Sequence, residues 1–137
     1  MNHPTLKGYT LIEQLDYVDY YSSSSGDTLI AQFRESSVID LEMAKESLDL
    51  ILKYKKDRAT YGITDARAQF LDFKTEAKNY YREHMVKGET LLHAIVVKDL
   101  ATKILANIYA RFDTPKVPTR VFTSLDDAIE WIEDSKF

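Results

Sequence analysis

The sequence predicts an α/β fold: an open, mixed, mainly parallel five-stranded sheet with four helices and an antiparallel N-terminal hairpin. Three observations carry that expectation. Strand-like and helix-like periods alternate along the chain, as TLIAQFRE, LEMAKESLDLILKYKK, TYGITDA and TEAKNYYREHMVK in turn. LLHAIVVKD is almost continuously apolar, the mark of a strand covered on both faces. SSSSGD stands between two alternating runs, where a hairpin turn belongs.

Each element follows in order. LIEQLDYVDYY, from Leu11 to Tyr21, alternates loosely, is rich in tyrosine and reads as an edge strand. Thr28 to Glu35 resumes the alternation and completes the hairpin. Asp40 is placed to cap a first helix whose Leu41, Ala44, Leu48, Ile51 and Leu52 share one face. Lys53, Lys55 and Lys56 suit the C-terminal end of that helix. TYGITDA forms the next strand, and the charged stretch DARAQFLDFK leads to a second helix that Gly88 ends. After LLHAIVVKD, a third helix spans roughly 100–112 with Leu100, Ile104, Leu105 and Ile108 inward. Pro115 and Pro118 make DTPKVPTR a connector, and RVFTS a last strand. Ser124 opens the fourth helix with a capping-box-like Ser-x-x-Asp; Ala128, Ile129 and Ile132 face inward, with Trp131 at the margin.

No repeat, low-complexity tract or long linker divides the chain. Residues 1–137 are therefore expected to form a single domain, with 1–10 poorly ordered. The formal net charge of −4 argues against a dedicated nucleic-acid binder, whose affinity rests on clustered Lys and Arg. The absence of cysteine removes disulfides, thiolate metal sites and a cysteine nucleophile, and agrees with a cytoplasmic location. MNHPTLKGYT lacks the regions of a secretory signal, and no apolar run nears the roughly 20 residues of a membrane span. Stable membrane insertion is not expected.

Catalysis by familiar routes lacks parts. His3, His84 and His93 show no metal-binding spacing, and the chain has neither GxGxxG, a Walker loop nor GxSxG. No carboxylate pair is isolated in an apolar setting. No cofactor, metal or catalytic residue is expected, and the chain does not read as an enzyme.

The candidate site lies where parallel strands end, the place where open α/β sheets meet ligands. Asp65 and Arg67 stand at the carboxyl end of a central strand, and Lys98 and Asp99 end the next. Thr123 and Ser124 end the last. Asp72 is placed to cap or begin the second helix, whereas Lys74 in its first turn opposes the helix dipole and so points to a partner. Mixed charge of this kind suits a protein surface better than a phosphate. Tyr17, Tyr20, Tyr21, Tyr80 and Tyr81 exceed the needs of a small core and raise homodimerisation through the first strand or an adjacent helix face.

The strand order, the DAR closing TYGITDAR and the ending PTRVFTSLDDAIEWIED together resemble small bacterial STAS-like proteins. These are relatives of the anti-sigma-factor antagonists and of the cytoplasmic domain of sulphate transporters, in the branch grouped with SEC14-type folds. The resemblance covers roughly Asp27 to Phe137. In the antagonists, an Asp-Ser-Ser-Gly-like turn carries a phosphorylated serine. The matching segment here is Leu71-Asp72-Phe73-Lys74-Thr75, with Asp72 on the acidic position and Phe73 and Lys74 on the serine positions. Thr75, one residue later, is the nearest hydroxyl. The resemblance implies a non-enzymatic, regulatory docking module with a protein partner. Its SEC14 side implies an alternative, a small-molecule or lipid binder covered by LATKILANIYARF.

Overall fold

The computed structural model describes residues 8–55, 60–87, 90–104 and 118–136. The chain opens with three antiparallel strands, β1 (Tyr9–Gln14), β2 (Val18–Ser23) and β3 (Thr28–Phe33). The run expected as one strand over Leu11–Tyr21 is thus two. Leu15 N–H donates to Val18 C=O at 2.9 Å, turning the chain at Asp16 without glycine or proline. Among the described residues the sheet consequently has six strands and not five, with β1 outermost. Tyr9 and Thr10, inside the stretch expected to be poorly ordered, pair with Ser23 and Ser22. SSSSGD makes the expected turn, where Gly26 takes a left-handed φ of 77° that favours glycine.

A short strand, β4 (Val38–Ile39), leads into α1 (Leu41–Lys55). Asp40 caps this helix by accepting from Met43 N–H at 2.9 Å. There follow β5 (Thr60–Ala66), β6 (Asp72–Phe73), α2 (Thr75–Lys87) and β7 (Thr90–Val97). A helix α3 begins at residue 100 and is described through 104. The chain continues with β8 (Thr119–Phe122) and α4 (Leu125–Ser135), whose cap Ser124 accepts from Asp127 N–H at 3.2 Å. The main sheet runs β1-β2-β3-β5-β7-β8, parallel from β3 onward; β4 and β6 pair separately.

The sheet buries both faces, so burial along β2 and β3 is nearly continuous and not alternating. One face packs Ile30, Ile63, Val96 and Phe122 against Ala128 and Ile132 of α4. The other packs Val18, Tyr20, Ala31 and Phe33 against Ala44 of α1 and Ala77 of α2. Tyr17 and Tyr20 are buried in this core and Tyr21 in the one on the α4 side, not displayed on an edge, so they offer no dimer surface. Two of the hydroxyls find partners on α1: Tyr17 reaches Glu46 Oε1 at 2.7 Å, and Tyr20 donates to Ser47 C=O at 3.1 Å. Ser47 is itself buried and shares a short hydrogen bond with the Tyr81 hydroxyl. Leu52, expected inward, is exposed instead. Leu100 and Ile104 are also exposed, because α3 starts past the strand ends. His3, Lys56, Gly88, Leu105, Ile108 and Pro115 lie outside the described residues.

Candidate functional site

Register fixes which residues share the carboxyl edge of the sheet. Gln32 is level with Asp65, Asp65 with Val96, and Val96 with Phe122. Arg34, Arg67, Lys98 and Ser124 therefore each stand two residues beyond one level line, on neighbouring strands. Side chains two residues apart on a strand share a face, so Asp65 and Arg67 point the same way as Ile63, toward the α4 side.

Asp65 is not the exposed contact point expected of it. Its side chain is 3% exposed, whereas that of Arg67 is 38% exposed. Arg67 donates from Nε and Nη2 to the two carboxylate oxygens of Asp65, each at 2.8 Å. Gln32 Nε2 donates to Oδ2 at 2.9 Å, and the Arg67 backbone N–H to Oδ1 at 3.2 Å. The carboxylate's lone pairs are thus occupied, and a forked pair of this geometry fixes the plane of the guanidinium. The hydrogen bond to Asp65 raises the Arg67 pKa against the opposing effect of burial, with Asp126 adding to it.

A second pair repeats the arrangement on the adjacent strands and was not anticipated. Arg34 donates from Nε and Nη2 to Asp19, whose side chain is 7% exposed while that of Arg34 is 40% exposed. Gln14 Nε2 donates to the same carboxylate at 3.2 Å. Each pair is formally neutral, yet solvent meets the cation and not the anion.

The connector from β5 to β6 carries the most exposed large apolar side chain among the described residues, Phe70 at 78%. Its φ of 58° is left-handed, which costs a side-chain-bearing residue about 1–2 kcal/mol. The neighbouring connector from β3 to β4 has the same feature at Ser36, φ 61°. Ser36 N–H donates to Gln69 C=O at 2.9 Å, and Asp72 N–H to Ser37 C=O at 3.0 Å, so the two connectors hold one another. Val38 on β4, and Leu100 and Ile104 on α3, are likewise exposed.

The remaining predicted residues fall in varied places. Asp72 neither caps nor begins α2; it is exposed in β6, level with Val38. Lys74 is the cap position, its C=O accepting from Ala77 and Lys78 N–H at 2.9 and 3.0 Å, which frees its side chain from the first turn. Thr75 is the first residue of α2 and exposed. Lys98 is exposed beside Arg67 in register. Asp99 caps α3 by accepting from Thr102 N–H at 2.7 Å, and that bond lowers its pKa.

His93 faces the opposite side of the sheet. Its Nε2 shares a hydrogen bond of 2.9 Å with Thr64 Oγ1, and burial lowers its pKa to about 4, so it is neutral at physiological pH. The cavity beside it, lined by Tyr20, Ala31, Ile51, Gly62 and Thr64, measures about 40 Å³. Ligand pockets are roughly 300–1,000 Å³, so this one is too small for a metabolite or a lipid. No carboxylate hydrogen-bonds His93 among the described residues, and no three metal-ligating side chains converge there.

The sheet order, with helices on both faces and an antiparallel start, is that of a STAS-like fold. A protein of the DUF3478 family with a SpoIIAA-like fold, from Shewanella loihica PV-4, superposes with a TM-score of 0.58. The alignment covers 90% of each chain at 12% identity, a likeness of fold. The chain belongs to the family described as a domain of unknown function, DUF7793, whose model matches residues 22–136. No curated protein matches it. No helix of the described residues is long and apolar enough to cross a membrane.

Proposed function

We propose that this STAS-like domain is a non-enzymatic docking module that receives a regulatory protein partner at the carboxyl edge of its sheet. The observation that carries the reading is Phe70, an aromatic side chain held in water on left-handed backbone. Strain of this kind persists where the surroundings enforce it, and it clusters at functional sites. An exposed ring flanked along the chain by charge, Arg67 before it and Asp72 and Lys74 after it, with Lys98 at the same sheet edge, has the composition of an interface anchor. Phe73 and Lys74 occupy the serine positions of the antagonists' turn, so docking here does not use that phosphorylated serine. A cytoplasmic location, in keeping with a sequence without cysteine, is part of this reading.

The test is photo-crosslinking in the protein's own cells, with a photoreactive phenylalanine in place of Phe70 or, as control, of Leu11 on β1. A discrete protein adduct at position 70, missing at 11 and lost when Lys74→Glu is added, is the expected result. Adducts of equal yield at both positions, or at neither, would reject the surface.

A further inference from the structure

We infer that Arg34 and Arg67 together receive carboxylates from an acidic segment of the docking partner. The inference rests on the docking reading and deepens it by naming the chemistry of the other side. Both guanidiniums lie on one face of the sheet, two residues beyond the paired Gln32 and Asp65 on parallel neighbours. Each is oriented by a carboxylate that is almost wholly buried, through Nε and Nη2. That leaves Nη1 as the outward edge. In Arg67 it makes no hydrogen bond among the described residues; in Arg34 it makes only a long one, 3.4 Å, to Asp16 C=O.

Buried anions under exposed cations turn the positive end of each pair outward, although Asp126 stands near Arg67 and Asp16 near Arg34. The order cost of fixing an arginine is already met by the aspartate beneath it, so an incoming carboxylate meets preorganised donors. The spacing selects the ligand. Asp19, Gln32 and Asp65 lie on successive strands, so the two guanidiniums are separated by one to two strand spacings, roughly 5–10 Å. At the wider end of that range one phosphate does not reach both. Two acidic side chains on a single segment do, at alternate residues of an extended chain or one helical turn apart. An anionic bilayer fits poorly: it would also meet Glu35, Asp72 and Asp99, and the chain carries a formal net charge of −4. A narrow segment can lie over the arginines without covering those carboxylates.

The intact chain tests this without substitution. Arginine Nε–H signals are followed by nitrogen–proton correlation NMR while hexaglutamate, hexaglutamine and inorganic phosphate are titrated separately. The Arg34 and Arg67 signals should move together and saturably with hexaglutamate, more weakly at high salt, and stay put with hexaglutamine. The absence of saturable movement, or equal movement with phosphate, overturns the inference. Arg34→Lys with Arg67→Lys keeps the charge but loses the fork, and should weaken hexaglutamate binding about tenfold or more. Thermal melting reports whether that double variant is folded. If it retains full crosslinking at position 70, the docking reading stands and the arginine pair falls. If hexaglutamate binds as stated while position 70 gives no adduct, the arginine pair stands and docking through Phe70 falls.

Discussion

The two ends of the parallel strands both use a carboxylate and a cation, with opposite exposure. At the amino end, Asp27 accepts from Ser23, Ser25 and Lys136, at 2.9, 2.7 and 3.1 Å. Lys136 also meets Glu133 at 3.1 Å and sits over the Tyr61 ring at 5.5 Å, tying the last helix to the hairpin. There the cation is the better covered partner, 19% exposed against 35% for Asp27. At the carboxyl end the carboxylates are sunk and the guanidiniums face out. The first arrangement closes the molecule upon itself; the second displays charge while anchoring it. An ion pair therefore says little until one knows which partner water can reach.

That contrast can be broken in order of expected effect. Asp65→Ala should cost most, about 2–3 kcal/mol in urea unfolding, since it strands Gln32 and the Arg67 fork. The figure sits below that of a fully buried pair because Arg67 can turn to water. A loss no larger than that of Lys136→Ala would erase the distinction between the ends.

Next comes His93, nearer the amino end. Its folded pKa, about 4, is depressed below the ordinary value of 6.5. The unfolded chain binds the extra proton first, so the stability present above pH 6.5 is lost as pH falls toward 4. The loss should reach about 2–3 kcal/mol. Its imidazole resonances should stay unchanged from neutrality down to about pH 5, and a midpoint near 6.5 would contradict the burial.

Asp27 should contribute less. Its pKa is lowered to about 2; burial opposes the shift, and the bonds from Ser25, Lys136 and Ser23 outweigh it. Its contribution is complete above about pH 4 and disappears as pH falls through 2. Because solvent reaches the pair, about 1 kcal/mol is expected. Melting curves of the natural chain and Asp27→Asn should converge in that window.

Smallest is Phe70→Gly, which should leave stability unchanged or raise it by up to about 1 kcal/mol, because glycine accepts φ near 58°. Partner crosslinking through a probe at neighbouring Leu71 should meanwhile disappear. Clear destabilisation would mean that the ring supports the fold and not an interface.

Much of the architecture was legible because hydrophobic period reports burial directly. LLHAIVV and the Ser124 cap lie where their patterns place them. The turn at Asp16 was not legible, since LIEQLDYVDYY contains no residue that demands a bend and tyrosine suits every part of it. β4 and β6, two residues each, carry no period at all. At the site, DAR announced a polar strand end, but which of Asp65 and Arg67 faces water depends on Gln32, from a distant strand. Phe70 was passed over because an aromatic between Gln69 and Leu71 reads as core, and left-handed backbone leaves no mark in a phenylalanine. The Asp19–Arg34 pair had a faint signal: an acid and a base on consecutive strands of one hairpin.

Among the described residues, one sheet face is covered by a single helix, α4, which follows every strand of the sheet in the chain. Until α4 docks, Ile30, Ile63, Val96 and Phe122 lack that cover, and the growing sheet carries a greasy plane that invites chaperones or aggregation. Maturation of this domain therefore waits on α4, and a change that loosens that helix reopens the plane.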